Sequence, residues 1–116
     1  MTVAFLPRIG YNRNRKGKRI VLTKKEIENA ISLLLQKYHA ESAVLFGSYA
    51  RGDATPQSDL DVIVFGGEGF KKVNIFAFAE ELRELTGKDV DAFEISEIDT
   101  DTDFYHSLIK EGIKIA

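Results

Sequence analysis

Gly47-Ser48-Tyr49-Ala50-Arg51-Gly52-Asp53-Ala54-Thr55-Pro56-Gln57-Ser58-Asp59-Leu60-Asp61-Val62-Ile63-Val64-Phe65 is a polar, glycine-bearing turn running into a strongly apolar strand. In the strand, period-2 geometry puts Leu60, Val62 and Val64 on one face and Asp59, Asp61 and Ile63 on the other. An apolar strand has no structural use for two aspartates projecting side by side unless something positive sits against them. The turn offers the complementary half. Gly47 lets a phosphate approach the backbone, Ser48 supplies a hydroxyl and an N–H, and Arg51 supplies a guanidinium suited to bidentate contact.

Working outward, Ser42 to Phe46 reads as a short buried strand ending at Gly47. Before it, Ile27, Ala30, Ile31, Leu34, Leu35 and Tyr38 recur at helical spacing between Lys24 and His39, which predicts one buried helical stripe. Thr23 followed by Glu26 predicts a capping box at its start. After the Gly66-Gly67-Glu68-Gly69 break, Ile75, Phe78, Ala79, Leu82 and Leu85 mark a second helix, with Gly87 as its left-handed terminator. Lys88 to Ile95 reads as a third strand in which Asp89, Asp91 and Phe93 share a face opposite Val90 and Ala92. Glu97 to Asp103 is acidic and turn-like, and Asp103 to Lys110 reads as a last short helix. The order predicts an α/β domain whose sheet is covered by helices.

If Asp91 joins Asp59 and Asp61 within about 5 Å, each pair repels by roughly 3 kcal/mol at an effective dielectric near 20, about 10 kcal/mol in all. A domain stable by about 5 to 15 kcal/mol needs protonation or bound cations to relieve that. Carboxylate oxygens suit Mg²⁺ or Mn²⁺ rather than zinc. Turn and carboxylates together describe a metal-triphosphate site.

Gly47-Ser48, ten intervening residues, Asp59-Leu60-Asp61 and a later Asp91 in an apolar setting resemble the nucleotidyltransferase superfamily that includes DNA polymerase β and kanamycin nucleotidyltransferase. The run GSYARGDATPQSDLDVIV is most similar to the minimal, MNT-type nucleotidyltransferases that pair with helical HEPN-domain proteins. The resemblance covers about residues 23 to 116 and implies a small mixed sheet flanked by helices, an α+β form of the architecture above. It implies that Asp59 and Asp61 bind two Mg²⁺ ions, that Asp91 completes the catalytic metal site and helps activate the acceptor hydroxyl, and that Gly47, Ser48 and Arg51 hold the triphosphate of ATP. In some such pairs the MNT protein neutralises a toxic HEPN ribonuclease by transferring AMP to a tyrosine, so the resemblance implies an antitoxin with a HEPN partner. The competing reading is a non-catalytic module that binds a nucleotide or simply covers a HEPN-type or nucleic-acid-binding partner.

Composition narrows the alternatives. The 116 residues contain no cysteine, which removes disulfides, thiolate metal sites and thiol nucleophiles from consideration. Apolar runs are short, and the reading is a cytoplasmic protein without membrane association. Half of the sixteen Lys and Arg precede Glu26, whereas all eighteen Asp and Glu lie from Glu26 onward. Residues 1–19 therefore read as a basic arm, solvated or available to RNA, a triphosphate or an acidic surface, and 20–116 as a single nucleotidyltransferase domain. Asp99, Asp101 and Asp103 imitate a calcium loop, but Phe104 and Lys110 occupy the positions that need Gly and Glu, so a solvated loop is expected. A P-loop is excluded by the missing Gly-Lys-Ser/Thr ending. His39 and His106 are assigned to helix ends or surface, and Tyr49 either stacks on a base or packs beside the turn.

Overall fold

The computed structural model describes residues 20–116; the basic arm lies outside them. The first helix, α1 (Lys24–Tyr38), begins at the capping box: the Glu26 N–H donates to Thr23 Oγ1 at 3.1 Å, and the Thr23 N–H donates to Glu26 Oε1 at 2.9 Å. It ends where His39 turns left-handed at φ 60°. Strand β1 (Ser42–Phe46) runs into one helical turn, α2 (Ser48–Arg51), between Gly47 and Gly52, both at positive φ. Then follow β2 (Leu60–Phe65), α3 (Asn74–Thr86) closed by Gly87 at φ 74°, and β3 (Val90–Glu94). A 3₁₀ turn at Ile95–Glu97 leads to α4 (Asp103–Glu111) and a two-residue strand, β4 (Ile113–Lys114).

The sheet is mixed, in the order β3-β2-β1-β4. β1 pairs antiparallel with β2 and with β4, and β2 pairs parallel with β3 through the α3 crossover. Two elements were not expected from the sequence: the Ile95–Glu97 turn and β4. Neither has a periodic pattern, and β4 is a strand only because β1 presents a free edge beside it.

Leu60, Val62, Val64 and Val90 pack in one buried cluster with Ile27, Ile31 and Leu34 of α1 and Ile75, Phe78 and Leu82 of α3. Each such side chain contributes about 1.5–3 kcal/mol when fully buried. The two helices are clasped by Glu81, which accepts from Lys37 Nζ at 2.7 Å and from the Tyr38 hydroxyl. Burial and that bond to a carboxylate push the Tyr38 phenol up to about 12. Among the described residues no helix is long and apolar enough to cross a membrane.

With its core on the helix-covered face, the sheet leaves the alternate residues of β2 and β3 on the opposite face. The capping box is a separable contribution. Thr23→Ala is expected to lower stability by about 1 kcal/mol, read as a reduced urea midpoint at unchanged m-value.

Candidate active site

Parallel register pairs Asp61 of β2 directly with Asp91 of β3, and antiparallel register pairs Asp61 with Phe46 of β1. Directly paired residues project to the same face, so the two carboxylates stand side by side at the end of the sheet where β1 turns into α2. Gly47 makes that turn at φ 75°, ψ −154°. A Cβ there would lie 2.3 Å from Asp61 Oδ2, so only glycine lets the turn close over the carboxylate. Its carbonyl accepts from the N–H groups of Ala50 and Arg51 at 3.1 and 3.0 Å. The first N–H groups of a helical turn have no intrahelical acceptor, and Ser48 and Tyr49 open this one directly after Gly47.

Burial pushes the Asp61 carboxyl up to about 6; the negative charges of Asp91 and Asp59 and a hydrogen bond shared with Asp91 add to the rise, and Arg51 opposes it. Asp91 thus acts by contact and charge, Asp59 by charge alone. Among the described residues no three Asp, Glu, His or Cys side chains close into a ready-made metal cage. The structure brings two of the three expected carboxylates together and places the third, the exposed Asp59, at their margin. An acidic pair that Arg51 only partly offsets, with oxygen donors only, fits a hard cation such as Mg²⁺, which takes one or two carboxylates and fills the rest of its shell with phosphate and water oxygens.

Arg51 is near enough to act on Asp61 and otherwise pairs with Asp53 at 3.4 Å, both side chains being about half exposed or more. Such a pair contributes little, so the guanidinium can exchange it for a phosphate. Tyr49 is resolved in favour of packing: its hydroxyl accepts the Leu22 N–H at 3.2 Å and its ring joins the core. His39 and His106 are exposed, the first as the α1 cap and the second on α4. The acidic loop is self-capped, Asp99 Oδ1 accepting from the Asp101 N–H at 2.9 Å and Thr102 capping α4.

Two supporting residues escaped the sequence reading. Lys88, buried at the entry to β3, donates to the Pro56 carbonyl at 2.7 Å and so tethers the loop that delivers Asp59. Glu94 accepts from the N–H groups of Gly66 (3.2 Å) and Ser96 (2.9 Å) and from the Ser96 hydroxyl. Burial raises the Glu94 carboxyl, but these bonds and nearby Lys72 outweigh it and hold the group below its usual range. Both residues look like ordinary surface charges in the sequence, because the acceptor or donor that buries each one is far away along the chain.

A mixed sheet with a paired carboxylate site beneath a glycine-serine turn defines a nucleotide-transferring α/β domain. The chain belongs to the polymerase beta-type nucleotidyltransferase family, described as "Polymerase beta, Nucleotidyltransferase", whose model matches residues 28–116. It is 35% identical over 88 residues, 76% of this chain and 87% of the relative, to a Methanocaldococcus jannaschii protein named "Putative protein adenylyltransferase". A second protein of that name from the same organism is 44% identical over 50 residues, 43% of this chain and 46% of the relative. Among solved structures, a toxin–antitoxin with AMP-PNP superposes with a TM-score of 0.66 at 24% identity, over 77% of this chain and 72% of the other. The tri-AMPylated Shewanella oneidensis HEPN toxin in complex with MNT antitoxin contains a chain that superposes at 0.62 and 21% identity, over 81% and 72%. At these identities the superpositions show the shared fold.

The site supports two expectations. Gly47 and Gly52 both have positive φ, but a Cβ at Gly52 would meet nothing within 4 Å. Gly52→Ala is therefore expected to cost only backbone strain, about 1 kcal/mol, and Gly47→Ala clearly more, by urea denaturation. For Asp61, a folded-state carboxyl raised above its unfolded value binds its proton more tightly when folded, so stability falls as pH rises from about 4 to about 6 and levels off above. Asp61→Asn is expected to flatten that slope and to leave the metal-free protein at least as stable as wild type at pH 8, measured by thermal unfolding across pH.

Proposed function

We propose that this chain transfers AMP from ATP to a hydroxyl group of a partner protein, that the partner is of the HEPN type, and that the transfer silences it, as an antitoxin acting in the cytoplasm. The observation that carries this reading is the Asp61–Asp91 pair closed over by Gly47, an acidic site that the single nearby guanidinium of Arg51 does not balance. The M. jannaschii relative's name supports the choice of protein as acceptor, and the shared fold of the MNT chain supports the choice of partner.

In this reading Asp59, Asp61 and Asp91 hold the magnesium ions, with Mn²⁺ as a substitute. When bound, the metal lowers the pKa of the acceptor hydroxyl and offsets charge on the α-phosphoryl group. The Ser48 hydroxyl, the N–H groups at the start of α2 and the Arg51 guanidinium bind and orient the triphosphate. The acceptor oxygen forms a bond to the α-phosphorus while the α–β bridging P–O bond breaks, and pyrophosphate leaves with that electron pair. Asp91, exposed on the edge strand β3, takes the acceptor's proton and passes it to solvent. Most of the protein's work is positioning and charge compensation.

The test is transfer of label from α-labelled ATP, with Mg²⁺, into protein and RNA of a host lysate, comparing wild type with Asp61→Asn. A labelled protein band that requires Asp61 is expected, and chelation of the metal should abolish it. No label, with purified HEPN-type partners also unmodified but still bound, would favour the non-catalytic covering module instead.

A further inference from the structure

The sheet face that carries the carboxylates continues as exposed aromatic surface. Register places Phe46, Asp61 and Asp91 in one row across β1, β2 and β3, and Val44, Ile63 and Phe93 in the next row of the same face. Ile63 is fully buried there, and α4 lays Phe104 edge-on against Phe46, with centroids 5.6 Å apart. Phe93 and Phe104 nevertheless remain 39% and 46% exposed. One stands two residues along β3 from Asp91, and the other lies over Phe46, the neighbour of Asp61.

The segment joining these two phenylalanines is acidic. Glu97, Asp99, Asp101 and Asp103 are all exposed, and no Lys or Arg occurs between Lys88 and Lys110. The exposed Lys114 of β4 closes the far, β1 end of that row opposite Val44, so the rim beside β3 is the acidic one, and an apolar patch with an acidic rim on one side is the composition of a docking surface rather than of a plain exterior. Its position selects the occupant. Ser48 and Arg51 lie on the β1 side of the carboxylates and serve the triphosphate, so the aromatic face beside β3 is left for the other reactant.

Resting on the transferase reading, we propose that Phe93, Phe104 and the acidic 97–103 loop dock the acceptor, a peptide segment of net positive charge whose apolar side chains seat on the two rings beside its reactive hydroxyl. The acidic rim attracts such a segment and repels acidic peptides and nucleic acid. The bound hydroxyl oxygen takes the AMP, its proton leaves through Asp91, and pyrophosphate departs, as in the transfer above.

The probes are random copolymers of lysine with tyrosine and of glutamate with tyrosine, and an oligoribonucleotide, each offered with α-labelled ATP and Mg²⁺. Stabilisation of the protein by Mg-ATP is measured in parallel by thermal unfolding. Wild type is expected to label the lysine copolymer at least about tenfold above the other two probes. Phe93→Ser and the double variant Glu97→Gln/Asp101→Asn are each expected to reduce that labelling by about tenfold while keeping the wild-type response to Mg-ATP. The charge variant removes no packing, so it reports even if the Phe93 change disturbs β3. Equal labelling of both copolymers, preference for the oligoribonucleotide, or variants that label as well as wild type would overturn the docking assignment and leave the transferase reading standing. So would loss of the Mg-ATP response in Phe93→Ser alone, which would assign the ring to the nucleotide base. Stabilisation by Mg-ATP without labelling of any probe would also overturn it. Absence of both binding and labelling would instead remove the transferase reading, and the docking assignment with it.

Discussion

Everything in the site depends on the in-register parallel pairing of β2 with β3, which sets Asp61 beside Asp91. Left to themselves two neighbouring carboxylates repel, and that repulsion adds to the larger effect of burial in raising the Asp61 carboxyl. The pairing survives because its driving force lies on the other face. Leu60, Val62, Val64 and Val90 are all buried against α1 and α3, and slipping the register by one residue would turn that whole set away from the core. The core thus holds the acids in place at a local electrostatic cost.

The surrounding polar contacts are arranged to keep both ends of that strand pair in position. At the entry, the Leu60 N–H donates to the Asp89 carbonyl and Lys88 anchors the loop at Pro56. At the exit, Glu94 ties the last turn of β3 to Gly66 at the end of β2. Buried charges of this kind are costly unless fully bonded; both make hydrogen bonds here, and no buried side-chain polar atom among the described residues lacks a partner. Arg51, Asp59 and Asp91, by contrast, are all exposed to solvent.

A division of labour between the two faces follows. The helix-covered face is apolar and supplies stability, while the opposite face is only partly covered by α4 and carries carboxylates, aromatic rings and an acidic loop. The turn at Gly47 joins the two roles, because its backbone must pass within a carbonyl's reach of Asp61 and still start a helical turn.

The sequence by itself determined the local elements and the chemistry they carry. Periodicity identified α1, α3 and the three longer strands, because an amphipathic stripe and an alternating strand are written in adjacent residues, and the capping box at Thr23 and the terminator at Gly87 are equally local. The spacing of Gly47-Ser48 from Asp59-Leu60-Asp61 marked the candidate site before any coordinates. Tertiary structure alone decided which strands neighbour one another, that β2 and β3 run parallel in the register joining Asp61 to Asp91, that Asp59 stays at the margin, and that Tyr49 packs inward onto Leu22. It also made a strand of Ile113–Lys114 and buried Lys88 and Glu94. These depend on partners distant along the chain, 28 residues apart for Glu94 and Gly66 and 27 for Tyr49 and Leu22, and no local pattern records a contact whose energy comes from closing a long loop of chain.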